Sequence, residues 1–408
     1  MSPSPNPDAT AQAPARPGSP LEVLWAFFKL GLTSFGGPVA HLGYFHQAFV
    51  ERRRWLDARS YADLVALCQF LPGPASSQVG MALGLQRAGW MGALMAWVGF
   101  TLPSALALIA FAYGIARHGE FARSGAVHGL KIVAVAVVAQ AVWGMAKALC
   151  PDRLRAGLAI VAALLALALP LAFGQLAAIV LGGLAGWLLL SLPAAPAGPS
   201  VSYGVSRRAG LAALAVFFVL LAALPLAAAA FGSGFWQLAD GFYRAGSLVF
   251  GGGHVVLPLL QAAVVPPGAV DSAQFLAGYG ATQAMPGPLF TFAAYLGAVM
   301  DGPLPAWLSG LFFLVVIFVP AFLLVAGALP FWQALQGRAA ARNAMAGVNA
   351  AVVGILLAAL YDPVWTGAIA GPLDFGLALA AFGLLVLARL PPPLVVALGA
   401  LAGWALAA

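Results

Sequence analysis

Apolar residues run through this chain in blocks of membrane length. Stretches 156–173, 174–192, 209–231 and 305–330 each hold about 18 or more residues with almost no charge. That is the length an α-helix needs to cross a hydrocarbon core of about 30 Å. The blocks sort into two sets of six. The first set is 21–50, 60–86, 88–115, 125–149, 156–173 and 174–192; the second is 242–265, 273–298, 304–331, 343–361, 366–388 and 393–408. Between the sets lie a Pro/Gly/Ser-rich linker with a basic end, 193–208, and one extra apolar helix, 209–231. Residues 1–20 are rich in Pro, Ala and Ser and read as a disordered tail. They lack the charged start, apolar centre and cleavage site of a secretory signal.

The first two blocks of each set are interrupted. Residues 34–41 read Ser-Phe-Gly-Gly-Pro-Val-Ala-His, and a weaker copy at 249–254 reads Val-Phe-Gly-Gly-Gly-His. Pro72-Gly73-Pro74 interrupts the next block, and Pro286-Gly287-Pro288 its counterpart. Glycine and proline inside a membrane-length apolar run expose backbone polar groups that lipid cannot satisfy. Such backbone is tolerated where it is buried in protein or lines a wet cavity. Each arm beside a break is about 13 residues, or about 20 Å of helix, too short to span. The pairs are therefore either re-entrant helical hairpins or single broken spanning helices.

These breaks belong to an internal duplication. Phe27, Gly31, Phe35, Gly36 and Gly37 match Phe242, Gly246, Phe250, Gly251 and Gly252 at an offset of 215. Gln69-x-x-Pro72-Gly73-Pro74 recurs as Gln283-x-x-Pro286-Gly287-Pro288 at 214, Pro103 as Pro320 at 217, and the small residues around Gly129 as those around Gly347 at 218. Seven blocks separate each landmark from its copy, and an odd number of crossings inverts the second half relative to the first. Inverted repeats place a substrate site at the repeat interface near the membrane midplane. The predicted domains are a first repeat over 21–192, the linker and extra helix, and an inverted second repeat over 242–408.

Composition fixes the class. Hydrophobic residues make up 62% and charged residues 8%, against roughly 25% charged in soluble domains. The expected fold is an all-α polytopic membrane protein, an inverted-repeat helical transporter with re-entrant or broken helices embedded in a lipid bilayer. The net charge of +7 does not indicate a nucleic-acid partner, because the basic residues cluster in short loops: Arg52-Arg53-Arg54, Arg153 with Arg155, Arg207-Arg208, and Arg338 with Arg342. The positive-inside rule expects such loops on the cytoplasmic side. Treating the broken blocks as re-entrant gathers these arginines on one side and Asp271, Asp301, Asp362 and Asp374 on the other, so the charge pattern favours nine full crossings over thirteen. Cys68 and Cys150 lie in or beside apolar runs and imply no disulfide framework or metal cluster.

The chemistry available inside the blocks suits an anion. No Gly-x-Ser-x-Gly, His-Glu-x-x-His, Walker loop or Cys-x-x-Cys is present, so no cofactor or metal is expected. Asp63 is the best intramembrane carboxylate, with a helix-capping aspartate as its alternative role. Lys29, Thr33, Ser34, His41, Gln69, Ser76, Ser77, Gln78, Lys131 and Gln140 lie in the first half; Ser247, His254, Gln283, Thr291 and Asn349 lie in the second. Hydroxyl, amide and cationic groups donate to oxygen anions. The residues after Gly37-Pro38 and after Pro74 open helices, since proline suits a first helical turn, and such N-termini offer free N–H groups to an anion. Plainer roles exist for each: close helix contact for Gly36-Gly37, snorkelling for Lys131, bonds to the preceding turn for Ser76 and Ser77.

Phe35-Gly36-Gly37-Pro38-x-Ala40-His41, Arg54-Trp55-Leu56, Gln69-x-Leu71-Pro72-Gly73-Pro74-x-x-x-Gln78 and Phe100-x-x-Pro103 together resemble the chromate ion transporter (CHR) family. Both halves look like its domain, as in its long, two-domain members. The second half departs from the pattern, with Gly253 for proline, His254 for valine and no Arg-Trp-Leu. The resemblance implies an inner-membrane, multi-pass secondary transporter that exports chromate, confers chromate resistance, and runs on the proton-motive force or sulfate exchange. It would not be an enzyme.

The site expected on these grounds comprises Gly36, Gly37, His41, Gln69, Pro72, Gly73, Pro74, Ser76, Ser77 and Gln78, with Gly251, Gly252, His254, Gln283, Pro286, Gly287 and Pro288 from the second half. Lys29, His41 or Lys131 would supply compensating charge, and Arg52 to Arg54 would gather anions. The expected partner is chromate or a sulfate-like oxyanion, with a homodimer left open. One rival is a transporter or channel for sulfate or another anion. The other is a membrane-embedded enzyme acting on a lipid-linked substrate, for which Asp57 with His46 is the candidate pair.

Overall fold

A computed structural model describes residues 18–117, 125–169, 171–192, 203–250, 253–332 and 338–407. Residues 1–17 of the expected tail and most of the linker, with Gly251 and Gly252, lie outside these, whereas Ser19 and Pro20, expected in the tail, open the first helix instead. The described residues are helical throughout and contain no β-strand. Five helices are long and apolar enough to cross a membrane: Ala75–Gly114, Gly125–Leu149, Arg207–Phe231, Ala306–Phe331 and Ala339–Ala368. The protein is an all-α polytopic membrane protein.

The first repeat opens with α1 (Pro20–Thr33), started by Pro20 in its first turn and by the Ser19 hydroxyl, which accepts from the Glu22 amide at 3.1 Å. It stops where Ser34 turns extended and Gly36 and Gly37 take φ of 99° and 78°, a left-handed region that costs glycine little. Next comes α2 (Gly37–Phe45), widened at its end over His46–Arg52, and then α3 (Ala58–Phe70). Asp57, not Asp63, caps α3: its carboxylate accepts from the Arg59 and Ser60 amides, each at 3.0 Å. Asp63 lies six residues further on, beyond the orphan amides of the first turn. Helix α4 (Ala75–Arg117) begins after Pro74 and is interrupted at Ala88 and Gly89.

These pairs are hairpins. A helix continued through residue 36 would separate residues 27 and 49 by about 33 Å, yet the Phe27 and Phe49 rings stack at 4.8 Å and Phe27 meets Phe45 edge-on at 5.4 Å. The second repeat folds back likewise. Its α9 (Gly234–Leu248) returns as α10 (Val256–Val264), with Gly241 against Ala263, and α11 (Ser272–Gln283) returns as α12 (Phe292–Val299), with the Tyr295 hydroxyl donating to the Gln274 carbonyl at 2.9 Å. The single broken spanning helix is thereby excluded. The second-repeat return arms enter through 3-10 turns, Gly253–Val255 and Leu289–Thr291, where the first repeat starts its α-helices directly, at Gly37 with Pro38 in the first turn and at Ala75 behind Pro74.

The two repeats run in opposite senses. Spanning α4 lies antiparallel to α13 (Ala306–Ala328): Trp90 meets Phe322 at 6.0 Å, Trp97 meets Phe318 at 5.6 Å, and Ile109 lies against Gly310. The first-repeat hairpins open where Glu22 reaches Arg87, just before this part of α4. Those of the second open where Phe235 meets Phe312 at 5.0 Å, at the start of α13. The hairpin mouths therefore face opposite ends of the bundle.

The last helices exchange partners. Helix α5 (Gly125–Leu149), in the first repeat, packs on α15 (Pro372–Val386) and α16 (Pro392–Ala407) of the second. Reciprocally, α14 (Ala339–Ala359) packs on α6 (Arg153–Ala168) and α7 (Leu171–Leu189). Both contacts are made through glycines: Gly129 against Gly399 and Gly403, and Gly347 against Gly182 and Gly186. Small residues let backbones approach closely where no hydrophobic effect drives helices together. Asn343 ties one crossing by donating to the Leu190 carbonyl at 2.6 Å and accepting from the Leu192 amide at 3.1 Å. The extra helix α8 (Arg207–Phe231) rests on α9, where the Tyr243 hydroxyl donates to the Phe217 carbonyl at 2.9 Å.

Candidate functional site

The four breaks are tied to one another across the repeats. The Gly73 amide donates to the Val249 carbonyl at 2.6 Å, and the Gly287 amide donates to the Ser34 carbonyl at 2.8 Å. Each Pro-Gly-Pro turn of one repeat thus satisfies the carbonyl of the residue that precedes the Phe-Gly-Gly break of the other. Both donors need glycine. Gly73 has φ of 122° and Gly287 of 91°, and a Cβ would lie 2.7 Å from Gln78 Nε2 or 3.0 Å from the Phe100 carbonyl. Pro38 lies against Gly253 at the same junction.

Around this junction the first repeat gathers buried polar groups. His41 Nδ1 and the Ser76 hydroxyl are 3.3 Å apart. The His41 ring meets Phe100 edge-on at 5.1 Å, and the Ser34 carbonyl approaches it, although Nε2 makes no hydrogen bond of good geometry. Gln78, fully buried, donates through Nε2 to the Pro72 carbonyl at 2.8 Å, which closes the turn. Among the described residues Ser34 Oγ, Ser77 Oγ, Gln78 Oε1 and Thr101 Oγ1 are buried without a hydrogen-bond partner. Native proteins leave few such atoms unsatisfied, and those that remain mark places where water or a ligand belongs. The N-terminus of α4 starts at the same place, with Pro74 before its first residue.

The other expected residues divide. Gly36, Lys29 and Gln69 are exposed, as is Thr33, whose hydroxyl donates to the Lys29 carbonyl. Lys29 is about 14 Å along α1 from its start. Lys131 is half-buried on α5, beside Leu130, whose carbonyl crowds Gly280 of α11. His254 Nδ1 lies 2.8 Å from the Tyr279 hydroxyl, a link made within the second repeat. Gln283 Nε2 is buried without a partner, while Pro286 and Pro288 flank Gly287. The expected set is therefore not one shell: His41, Ser76, Ser77 and Gln78 come together at the junction, and Lys29, Gly36 and Gln69 are exposed.

Sequence patterns missed three features. Thr101 is hidden in an unbroken apolar run and Tyr279 in a helix of small residues. Glu22 and Arg87 look like isolated loop charges, yet they pair at 3.1 Å. The repeat offsets hold the clue, since they align Glu22 with Gln237 and Arg87 with Asp301. The candidate enzyme pair does not form: His46 Nδ1 is 3.2 Å from Glu51, and the Asp57 carboxylate accepts from Ser60 Oγ at 2.6 Å. Among the described residues no group of three or more His, Cys, Asp or Glu could hold a metal.

Two inverted sets of hairpins that meet at broken, glycine-containing backbone inside a helical bundle are an architecture of membrane transporters. The family model described as Chromate transporter matches residues 21–187 and again 236–404, and the chain belongs to that family. It is similar to the chromate transport protein of Pseudomonas aeruginosa, 30% identical over 98% of this chain and 96% of that protein. It also resembles the probable chromate transport protein of Synechococcus elongatus, 27% identical over 92% and 93%, and the chromate transport protein of Cupriavidus metallidurans, 26% identical over 83% and 81%. No solved structure matches the chain.

Proposed function

We propose that the chain is a secondary active transporter that carries chromate out of the cytoplasm across the inner membrane and so confers chromate resistance, driven by the proton-motive force or by exchange for sulfate. Family membership and the names of the relatives support the substrate. The observation that carries the site is the set of buried polar atoms without partners, Ser34 Oγ, Ser77 Oγ and Gln78 Oε1, beside the N-terminus of α4. Chromate is a tetrahedral dianion, and hydroxyl donors at the positive end of a helix suit such a group. His41, held by Ser76, adds a ring nitrogen whose donor or acceptor state follows its tautomer.

The exposure of Lys29, Thr33, Gly36 and Gln69 supports an aqueous approach to this point, because polar groups at membrane depth face water or protein. The inverted arrangement supports access from either end by exchange of which repeat is open. The basic loops on one end, read with the positive-inside rule, make that end cytoplasmic. The recognising groups read shape and charge, both of which sulfate shares, so sulfate is the competing substrate.

Everted membrane vesicles carrying the protein test this reading. Chromate uptake that depends on an imposed proton gradient or on internal sulfate is the expected result. Vesicles that take up labelled sulfate but no chromate would replace the substrate, and a voltage-driven current without any counter-substrate would replace the transporter by a channel.

A further inference from the structure

At the basic end, the mouth of the first-repeat hairpins is closed by four side chains. Both carboxylate oxygens of Glu22, on α1, lie 3.1 Å from one terminal nitrogen of Arg87, on the return arm of the second hairpin. A terminal nitrogen of Arg53 lies 3.9 Å from the same carboxylate. The guanidinium carbons of Arg53 and Arg87 sit 5.7 Å and 5.3 Å from the centre of the Trp55 ring. Trp55 is 6% exposed and stacks on Phe49 at 4.5 Å, and its amide donates to the Phe49 carbonyl at 2.7 Å. The indole is thus a fixed platform for two arginines, held by cation–π attraction.

The corresponding mouth at the other end is built differently. The repeat offsets of 215 at the first break and 214 at the second carry Glu22 to Gln237 and Arg87 to Asp301. Both counterparts line an open cleft of about 680 Å³ whose other lining residues include Phe235, Trp236 and Met300, and no cation. One mouth therefore holds two stacked arginines closed on a carboxylate. Its inverted twin holds an amide and a carboxylate around empty space.

We propose that Arg53, Trp55 and Arg87 form an oxyanion-loading site at the basic mouth, occupied in this state by the Glu22 carboxylate, which the transported anion displaces. The inference rests on the transport reading above and deepens it. A guanidinium fork engages a carboxylate and a tetrahedral oxyanion through the same pair of N–H donors. Glu22 brings one negative charge to these two arginines and a tetrahedral dianion brings two, so the dianion is held more strongly than the resident side chain. Displacing Glu22 also unties α1 from the second hairpin, so loading and opening of this mouth are one event. Asp301, exposed at the far mouth, disfavours rebinding of the anion after release by like-charge repulsion over the short range that salt leaves unscreened. This asymmetry governs how fast an anion loads at each face; the driving force alone sets the direction of net transport.

The test uses the full-length chain in everted vesicles, with initial rates measured against chromate concentration, and the purified protein in detergent, with equilibrium binding of labelled sulfate. Arg87→Gln is expected to raise KM about tenfold with little change in kcat, and Glu22→Gln to lower KM severalfold, because the competitor has lost its charge. Arg87→Lys keeps the charge without the fork and should fall between Arg87→Gln and the unaltered protein. A clamp with only a structural role would instead make Glu22→Gln and Arg87→Gln alike, both reducing kcat or protein level. That outcome, or equal sulfate binding by both variants, overturns the loading site. Should Arg87→Gln fail to reach the membrane, Arg53→Gln carries the same expectation. Unaltered protein that moves neither chromate nor sulfate overturns the transport reading, while the binding measurement still decides the site.

Discussion

The amide of Gly73 is bound to the carbonyl of Val249 at 2.6 Å, a bond between the second hairpin of one repeat and the first hairpin of the other. Its mirror, Gly287 to Ser34 at 2.8 Å, makes the relationship reciprocal. Backbone released by a break must find a partner away from water, and here each repeat supplies the partner that the other needs. The breaks are stable only together.

Gly73→Ala and Gly287→Ala should therefore each lower thermal stability, by about 1–3 kcal/mol for a non-glycine residue forced into the left-handed region. Both should also cut chromate transport, because the Cβ displaces Gln78 in one case and crowds Phe100 in the other. Detergent-solubilised melting followed by size-exclusion chromatography, together with vesicle uptake, reads both effects. Unchanged melting and uptake in both variants would refute the junction.

Ser77→Ala and Ser34→Ala should behave in the opposite way. Their hydroxyls have no protein partner, so removal leaves stability within about 0.5 kcal/mol while weakening transport. Gln78→Ala should abolish transport with the protein still in the membrane, and Pro74→Ala likewise. Normal chromate transport by Gln78→Ala would remove the junction from consideration as the binding site.

At the mouth of the second hairpin, Asp57 caps α3 and its carboxyl is held below the usual 3.8, chiefly by the Ser60 hydroxyl and then by the Ser60 amide. A carboxylate depressed by folding contributes stability above its unfolded pKa and loses it as pH falls through the folded value. The cap is therefore intact at neutral pH and fades only in strong acid. Asp57→Ala should cost about 0.5–2 kcal/mol near pH 7, and Asp57→Asn much less. Equal melting of the two variants at pH 7 would contradict this.

Because α5 and α14 each pack on the terminal helices of the opposite repeat, neither half buries its own glycine faces. Cutting the chain in the linker between 192 and 203 and co-expressing the pieces should give co-purifying halves, with neither half stable alone. Gly347→Leu should block assembly, since the Gly182 carbonyl and Gly186 leave no room for a side chain. Recovery of a monodisperse single half would show the exchange to be dispensable.

The sequence by itself determined the class, the duplication and the places where helices break. Blocks of apolar residues, loops of arginine and the recurrence of Pro-Gly-Pro are local or periodic signals, and local physics reads them: lipid demands apolar length, and glycine and proline interrupt helices. The antiparity of the repeats followed from counting. Tertiary structure alone decided which backbone group answers which. Only folding back places Phe27 on Phe49, and only the inverted docking of two halves brings Gly73 to Val249 across about 175 residues of chain. The same holds for charge. Lys29, His41 and Lys131 are equivalent candidates along the sequence, and the fold buries the histidine at the junction while leaving Lys29 exposed and Lys131 half-buried. Glu22 and Arg87, 65 positions apart, became a pair because the mouths of two hairpins close on each other, a contact that no periodicity in either helix encodes.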